Sequence, residues 1–153
     1  MARKSRKHQT VTLPHLHSET AGYIRLSVTG KDGDDSIENQ KKVIEAWAQE
    51  NQHPISRWYI DAGWSGRTFD RPKFRELIAD IERGEVDCVV VKDLSRLGRD
   101  HIAVGYYLEV FFPMNCVRFV SINDNFDTVD GLTDQSNPHG SRIRIPIKNA
   151  FNE

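Results

Sequence analysis

Two hydrophobic periods alternate along this chain, and the switches between them mark its elements. GYIRLSV, residues 22 to 28, is short, rich in β-branched and aromatic residues, and followed by the polar, turn-rich TGKDGDD. It reads as a strand ending near Ser27. In SIENQKKVIEAWAQENQ, residues Ile37, Ile44, Trp47 and Ala48 share one helical face, and Asp35 with Glu38 has capping-box spacing. ISRWYID, residues 55 to 61, is a second strand, and AGWSGRTFDR an exposed loop. PKFRELIADIERGE carries Pro72 in its first turn, Phe74, Leu77, Ile78 and Ile81 at i, i+3, i+4 and i+7, and Gly84 as its stop. VDCVVV, residues 86 to 91, is apolar almost throughout, as a parallel strand covered on both faces requires. A third helix is expected from about Asp100 through IAVGYYLEVFF to Pro113, and CVRFVSI, residues 116 to 122, is the fourth strand.

This βαβαβαβ order implies an α/β sandwich around a mostly parallel sheet, because parallel neighbours need helical crossovers. Beyond Ile122, NDNFDTVDGLTDQSNPHGS lacks apolar periodicity and is expected to be a mobile loop. RIRIPIKNAFNE then begins an element that the chain does not finish. Residues 1 to 20 hold Arg3, Lys4, Arg6 and Lys7 and read as a flexible basic arm, either solvated or touching phosphate. The expected division is an arm over 1–20, one domain over 21–123, and a loop with a truncated following element over 124–153.

Composition narrows the class. With 28% charged and 38% hydrophobic residues, the chain is an ordinary globular protein rather than a disordered or fibrous one. No apolar run approaches the roughly 20 residues that span a bilayer. The basic N-terminus lacks the apolar stretch of a secretory signal, so a cytoplasmic location without membrane contact is expected. The two cysteines, Cys88 and Cys116, sit apart in apolar runs and read as buried, reduced thiols. His15 and His17 lie in a polar tail without further ligands, which argues against a metal site. A net charge of −1 means that any DNA contact must come from a local cationic patch.

Such a patch is expected at the carboxyl edge of the sheet, where loops of α/β proteins gather function. Arg25 and Ser27 are two apart on the first strand and point to one side of it. Lys92 ends the third strand, and Arg96 and Arg99 follow at a spacing of three, which a helical loop would place on one face. Ser65, Arg67 and Arg71 come from the loop after the second strand. Guanidiniums grip phosphate oxygens through charge-assisted bonds and stabilise charge that develops on a phosphodiester under attack. The bland alternatives are that Arg96 and Arg99 pair with Asp93 and Asp100 on a solvated face, and that Ser27 caps a turn. Gln40 falls on the apolar stripe of its helix, where a polar group needs a partner. Tyr106, Tyr107, Phe111 and Phe112 exceed what one helix face buries, so they pack in the core or meet another subunit.

YIRLS at 23 to 27, SIENQ at 36 to 40, SGRTFDRP at 65 to 72 and KDLSRLGRD at 92 to 100 together resemble the serine recombinases, the resolvase and invertase family. SIENQ, KDLSRLGRD and DNFDT look most like its large, transposon-borne members. The resemblance implies a three-layer α/β/α domain whose mixed, mostly parallel sheet ends in an antiparallel edge strand. It implies site-specific DNA recombination with Ser27 as nucleophile, a 5′-phosphoserine intermediate and a free 3′ hydroxyl. Arg25, Arg96 and Arg99 would bind the scissile phosphate, Arg71 and Gln40 would complete the site, and Tyr23 would support it. It further implies DNA as partner, a homodimer or tetramer in the full-length protein, and no metal or nucleotide cofactor. The family's dimer helix and DNA-binding region would follow Glu153, so this piece alone is expected to be weakly active or inactive. Ser95 stands where small resolvases carry an aspartate, and no general base is assigned. The alternative is a non-catalytic flavodoxin-like module that binds a phosphate-bearing ligand or a partner protein, although TGKDGDD lacks a phosphate-cradling glycine fingerprint.

Overall fold

The computed structural model of the chain describes residues 19–28 and 35–129. The basic arm with His15 and His17, and RIRIPIKNAFNE, lie outside the described residues.

Five strands form one sheet in the order β2-β1-β3-β4-β5. β1 (Thr20–Leu26) lies parallel to β2 (Ile55–Ala62) and to β3 (Cys88–Val91), β3 lies parallel to β4 (Arg118–Ser121), and β5 (Phe126–Asp127) runs antiparallel to β4. The helical elements are α1 (Ile37–Asn51), α2 (Pro72–Glu82), the single turn α3 (Leu94–Leu97), α4 (His101–Tyr106), a π-helical turn (Tyr107–Phe111) and α5 (Phe112–Met114). This is the expected three-layer fold with its antiparallel edge.

The two-residue period of the strands sorts the core into two faces. Tyr23, Tyr59, Val89, Val91 and Phe119 face α2 and the helical run from 94 to 112, joining Phe74, Leu77, Leu108 and Phe112. Their neighbours Ile24, Cys88, Val90 and Val120 face the other way, against Ile44 of α1. Both faces of β3 are therefore covered, which its unbroken apolar sequence demands.

Local details depart from the sequence expectations for physical reasons. Ser36, not Asp35, caps α1: its hydroxyl accepts from the Asn39 N–H at 3.1 Å. Residues 126 and 127 form β5 within the stretch expected to be loop, because two residues are too few to show a period. The third helical region starts early, with α3, and continues past Pro113 to Met114. Pro113 has no N–H for a helical bond, and its ring would press on the Glu109 carbonyl. The wide turn just before it, closed by the Phe112 N–H on the Tyr107 carbonyl, accommodates that ring. Phe111 and Phe112 are buried and Tyr107 packs against the same core, while Tyr106 remains 51% exposed. No helix among the described residues is long and apolar enough to cross a membrane.

Candidate active site

Because β1 to β4 are parallel, their carboxyl ends and following loops share one edge. The chain leaves β1 toward β2 on one side and returns to β3 on the other, so the β1–β3 crevice is the point where strand order reverses. β1 pairs with β3 only from Thr20 to Gly22. The last residues of β1 lie beyond that pairing, and the site is built around them.

Arg25 is fully buried, yet its guanidinium is held by main-chain oxygens rather than by a carboxylate. Nη1 donates to the Trp64 carbonyl at 3.0 Å and Nη2 to the Ser95 carbonyl at 2.8 Å, tying the β2–α2 loop to α3. Burial pulls its pKa down, and Arg71, Arg96 and Arg99 nearby add to the shift. Ser27 lies one residue past β1, partly exposed. Arg99 is exposed, and its N–H donates to the Gly66 carbonyl at 2.7 Å.

Arg96 and Arg99 do not share a helical face. α3 ends at Leu97 and Gly98 is extended, so Arg96 turns inward and Arg99 outward. Arg96 is 7% exposed; its Nη1 donates to the Arg25 carbonyl at 3.2 Å, and its guanidinium pairs with Asp35 and, at 3.6 Å, with Asp93. Asp35 also accepts from Lys92 at 2.7 Å. Gln40, fully buried, finds the partner its position requires: Nε2 donates to the same Arg25 carbonyl at 3.1 Å. The solvated pairing of Arg96 is therefore corrected to a buried one, and Asp100 caps α4 by accepting from the Ile102 and Ala103 N–H groups.

Arg71 is also fully buried. Its guanidinium donates to the carbonyls of Arg96, at 3.2 Å, and Leu97, and lies against the rings of Tyr23, Phe69 and Phe74 at 4.9 to 5.4 Å. It positions the loop that carries Arg96 and Arg99 from beneath. Tyr23 donates to Asp61 at 2.8 Å, and the same carboxylate accepts from the Lys73 and Phe74 N–H groups, both at 3.0 Å. Burial, reinforced by Asp61, pushes the Tyr23 phenol far above its ordinary range, so it stays protonated near neutral pH. The Ser95 hydroxyl donates to Asp93.

Asp35, Asp61 and Gly66 were missed by sequence reasoning. Asp61 carried a signal: it shares the inward parity of Tyr59 on β2, and a carboxylate on a core-facing position needs donors. An open groove of about 540 Å³ beside Ser95, Arg99, His101 and Asp124 flanks the cluster. Among the described residues no group of three or more His, Cys, Asp or Glu could hold a metal ion. Chemically, the arrangement is a set of guanidiniums, those of Arg71, Arg96 and Arg99, within electrostatic reach of the buried Arg25.

Residues 20–153 match the family described as resolvase, N-terminal domain. The crystal structure of the N-terminal catalytic domain of TP901-1 integrase is 32% identical, with a TM-score of 0.68 over 75% of this chain and 85% of that one. A resolvase family site-specific recombinase from Streptococcus pneumoniae is 28% identical, with a TM-score of 0.62 over 78% and 79%. A serine recombinase from Sulfolobus solfataricus is 27% identical, with a TM-score of 0.56 over 69% of each chain.

Proposed function

The chain belongs to the resolvase family, whose N-terminal domain is the catalytic domain of serine recombinases, and from that premise we propose that Ser27 cleaves DNA. The Ser27 hydroxyl gives up its proton and its oxygen attacks a DNA phosphodiester. A phosphorus–oxygen bond to Ser27 forms as the bond to the 3′ oxygen breaks, and that oxygen takes a proton and leaves as a hydroxyl. The resulting 5′-phosphoserine link preserves a phosphodiester for rejoining to a new 3′ end. Arg25, Arg96 and Arg99 bind the phosphate and stabilise its developing charge. Gln40 and Arg71 hold those cations in place, and Tyr23 supports the site through Asp61.

The observation that carries this reading is the Arg25 guanidinium, buried two residues before Ser27 in the chain and fixed by two main-chain carbonyls, with three further arginines close enough to lower its pKa. Like charges held this close favour an anion between them. The test is covalent trapping on DNA with a form of the protein long enough to bind its site. Adduct is expected to vanish with Ser27→Ala and persist with Ser95→Ala, and the reverse pattern would overturn the assignment.

Exchange of strands needs at least two cut ends held together, so the full-length protein acts on DNA as a homodimer or tetramer. Ile102, Tyr106, Val110 and Met114, spaced by four along the 101–114 helical run, are 40 to 88% exposed and support a subunit contact there. Sedimentation of the full-length protein should show a dimer or larger species.

A further inference from the structure

Between β2 and α2 one residue touches two of these arginines and has no side chain with which to do it. Gly66 is buried, and its carbonyl accepts the Arg99 N–H at 2.7 Å. A β-carbon at this position would lie 2.9 Å from Arg25 Nη2, 3.1 Å from Arg25 Cζ and 2.9 Å from Arg99 Cγ. Gly63 and Gly84 adopt left-handed backbone; Gly66 is not among the residues with positive φ. Conformational freedom therefore does not explain a glycine at 66. Space does: the Arg25 guanidinium is fixed by the Trp64 and Ser95 carbonyls, and the Gly66 α-carbon packs against its flank.

We propose that Gly66 is a positioning residue for the phosphate cations, its missing side chain setting how closely Arg25 and Arg99 approach each other. This rests on the reading of those two arginines as phosphate ligands. Arg99 is among the charges that lower the Arg25 pKa, which places the two within electrostatic reach. A methyl group at 66 forces something to move. The tip of the long Arg25 side chain yields most easily, whereas Arg99 Cγ sits next to a backbone that Gly66 itself holds. Gly66→Ala should therefore still fold, displacing the Arg25 guanidinium and straining its bonds to the Trp64 and Ser95 carbonyls.

The experiment follows the Arg25 and Arg99 guanidinium NMR signals of this chain as inorganic phosphate is added, with thermal melting measured in parallel. In the natural sequence both signals should shift saturably. Gly66→Ala should still melt cooperatively, about 4–8 °C below the natural chain, as about 1 kcal/mol lost from the strained Arg25 bonds implies. Its phosphate affinity should fall about tenfold or more, as loss of one well-placed charge-assisted contact implies. Equal phosphate affinity in the two proteins would overturn the role of Gly66 and leave the arginines as phosphate ligands. Loss of the cooperative melting transition would make Gly66 a packing residue and overturn it too. No shift at either arginine in the natural sequence would overturn the phosphate reading itself, and this inference with it.

Discussion

Asp35 and Lys92, 57 residues apart, form an ion pair of 2.7 Å in which the carboxylate is 7% and the ammonium 15% exposed. The same carboxylate pairs with Arg96, so one internal anion neutralises two cations at the carboxyl edge of the sheet. Removing one partner from a buried pair leaves charge without compensation, and Asp35→Asn should cost about 3 kcal/mol in urea unfolding. An added anion should then matter more to the variant. Sulfate is expected to raise the melting temperature of Asp35→Asn more than that of the natural chain, because it binds the folded state where the carboxylate was. An equal gain in both would show that Asp35 does not compete for the anion site.

That pairing also shows where sequence reading stops. Asp35 lies three before Glu38, a true helix-start spacing, but Asp and Ser both suit an N-cap and only the tertiary cations decide between them. The strands, the two long helices and the sheet edge follow from periodicity alone, since their apolar residues repeat over enough positions. The edge strand β5 and the π-helical turn do not, being two and five residues long. The arginines were visible by their number and placement after strands. Their mutual geometry was not, because Gly98 breaks the helix between Arg96 and Arg99 and turns a shared face into one buried and one exposed guanidinium.

Arg71 should not tolerate lysine. Its fork donates to two successive carbonyls, those of Arg96 and Leu97, while three aromatic rings surround it. An ammonium cannot reproduce the planar fork, and at least one buried carbonyl loses its donor. Arg71→Lys is expected to lose about 2 kcal/mol in denaturant unfolding. Hydrogen exchange at the Gly98 amide, which closes α3 on the Leu94 carbonyl, should speed up. Unchanged exchange there would mean that Arg71 does not hold this loop.

Gly98 has a packing role distinct from that of Gly66. A β-carbon there would lie 2.7 Å from Phe69 Cε2 and closer still to Cζ. The ring cannot easily retreat, since it stacks on Tyr107 at 5.0 Å and meets Phe74 edge-on at 5.2 Å. Gly98→Ala should destabilise the domain by about 2 kcal/mol through overpacking. Combined with Phe69→Leu, which shortens the obstructing side chain, it should lose less than the sum of the two single changes. Strict additivity in that double-mutant cycle would sink the steric explanation.

Cys88 makes alkaline stability a readout of the core. It is 2% exposed between Ile44 and Val90, and burial raises its thiol from 9.0 to about 11. The folded chain therefore holds this proton to higher pH than the unfolded chain. Its contribution is complete below pH 9, and it is lost as pH rises to about 11, with a slope of at most about 1.4 kcal/mol per pH unit. Tyr59, raised from 10.0 to about 12 chiefly by burial, extends the decline upward. Urea midpoints between pH 8 and 11 should thus fall, and fall less steeply in Cys88→Ala, which has no thiol to titrate. Cys116, expected from its apolar run to be buried, is instead exposed just before β4, so a thiol reagent at pH 8 should modify it first and reach Cys88 only on unfolding. Rapid modification of both in the native chain would contradict the buried position of β3.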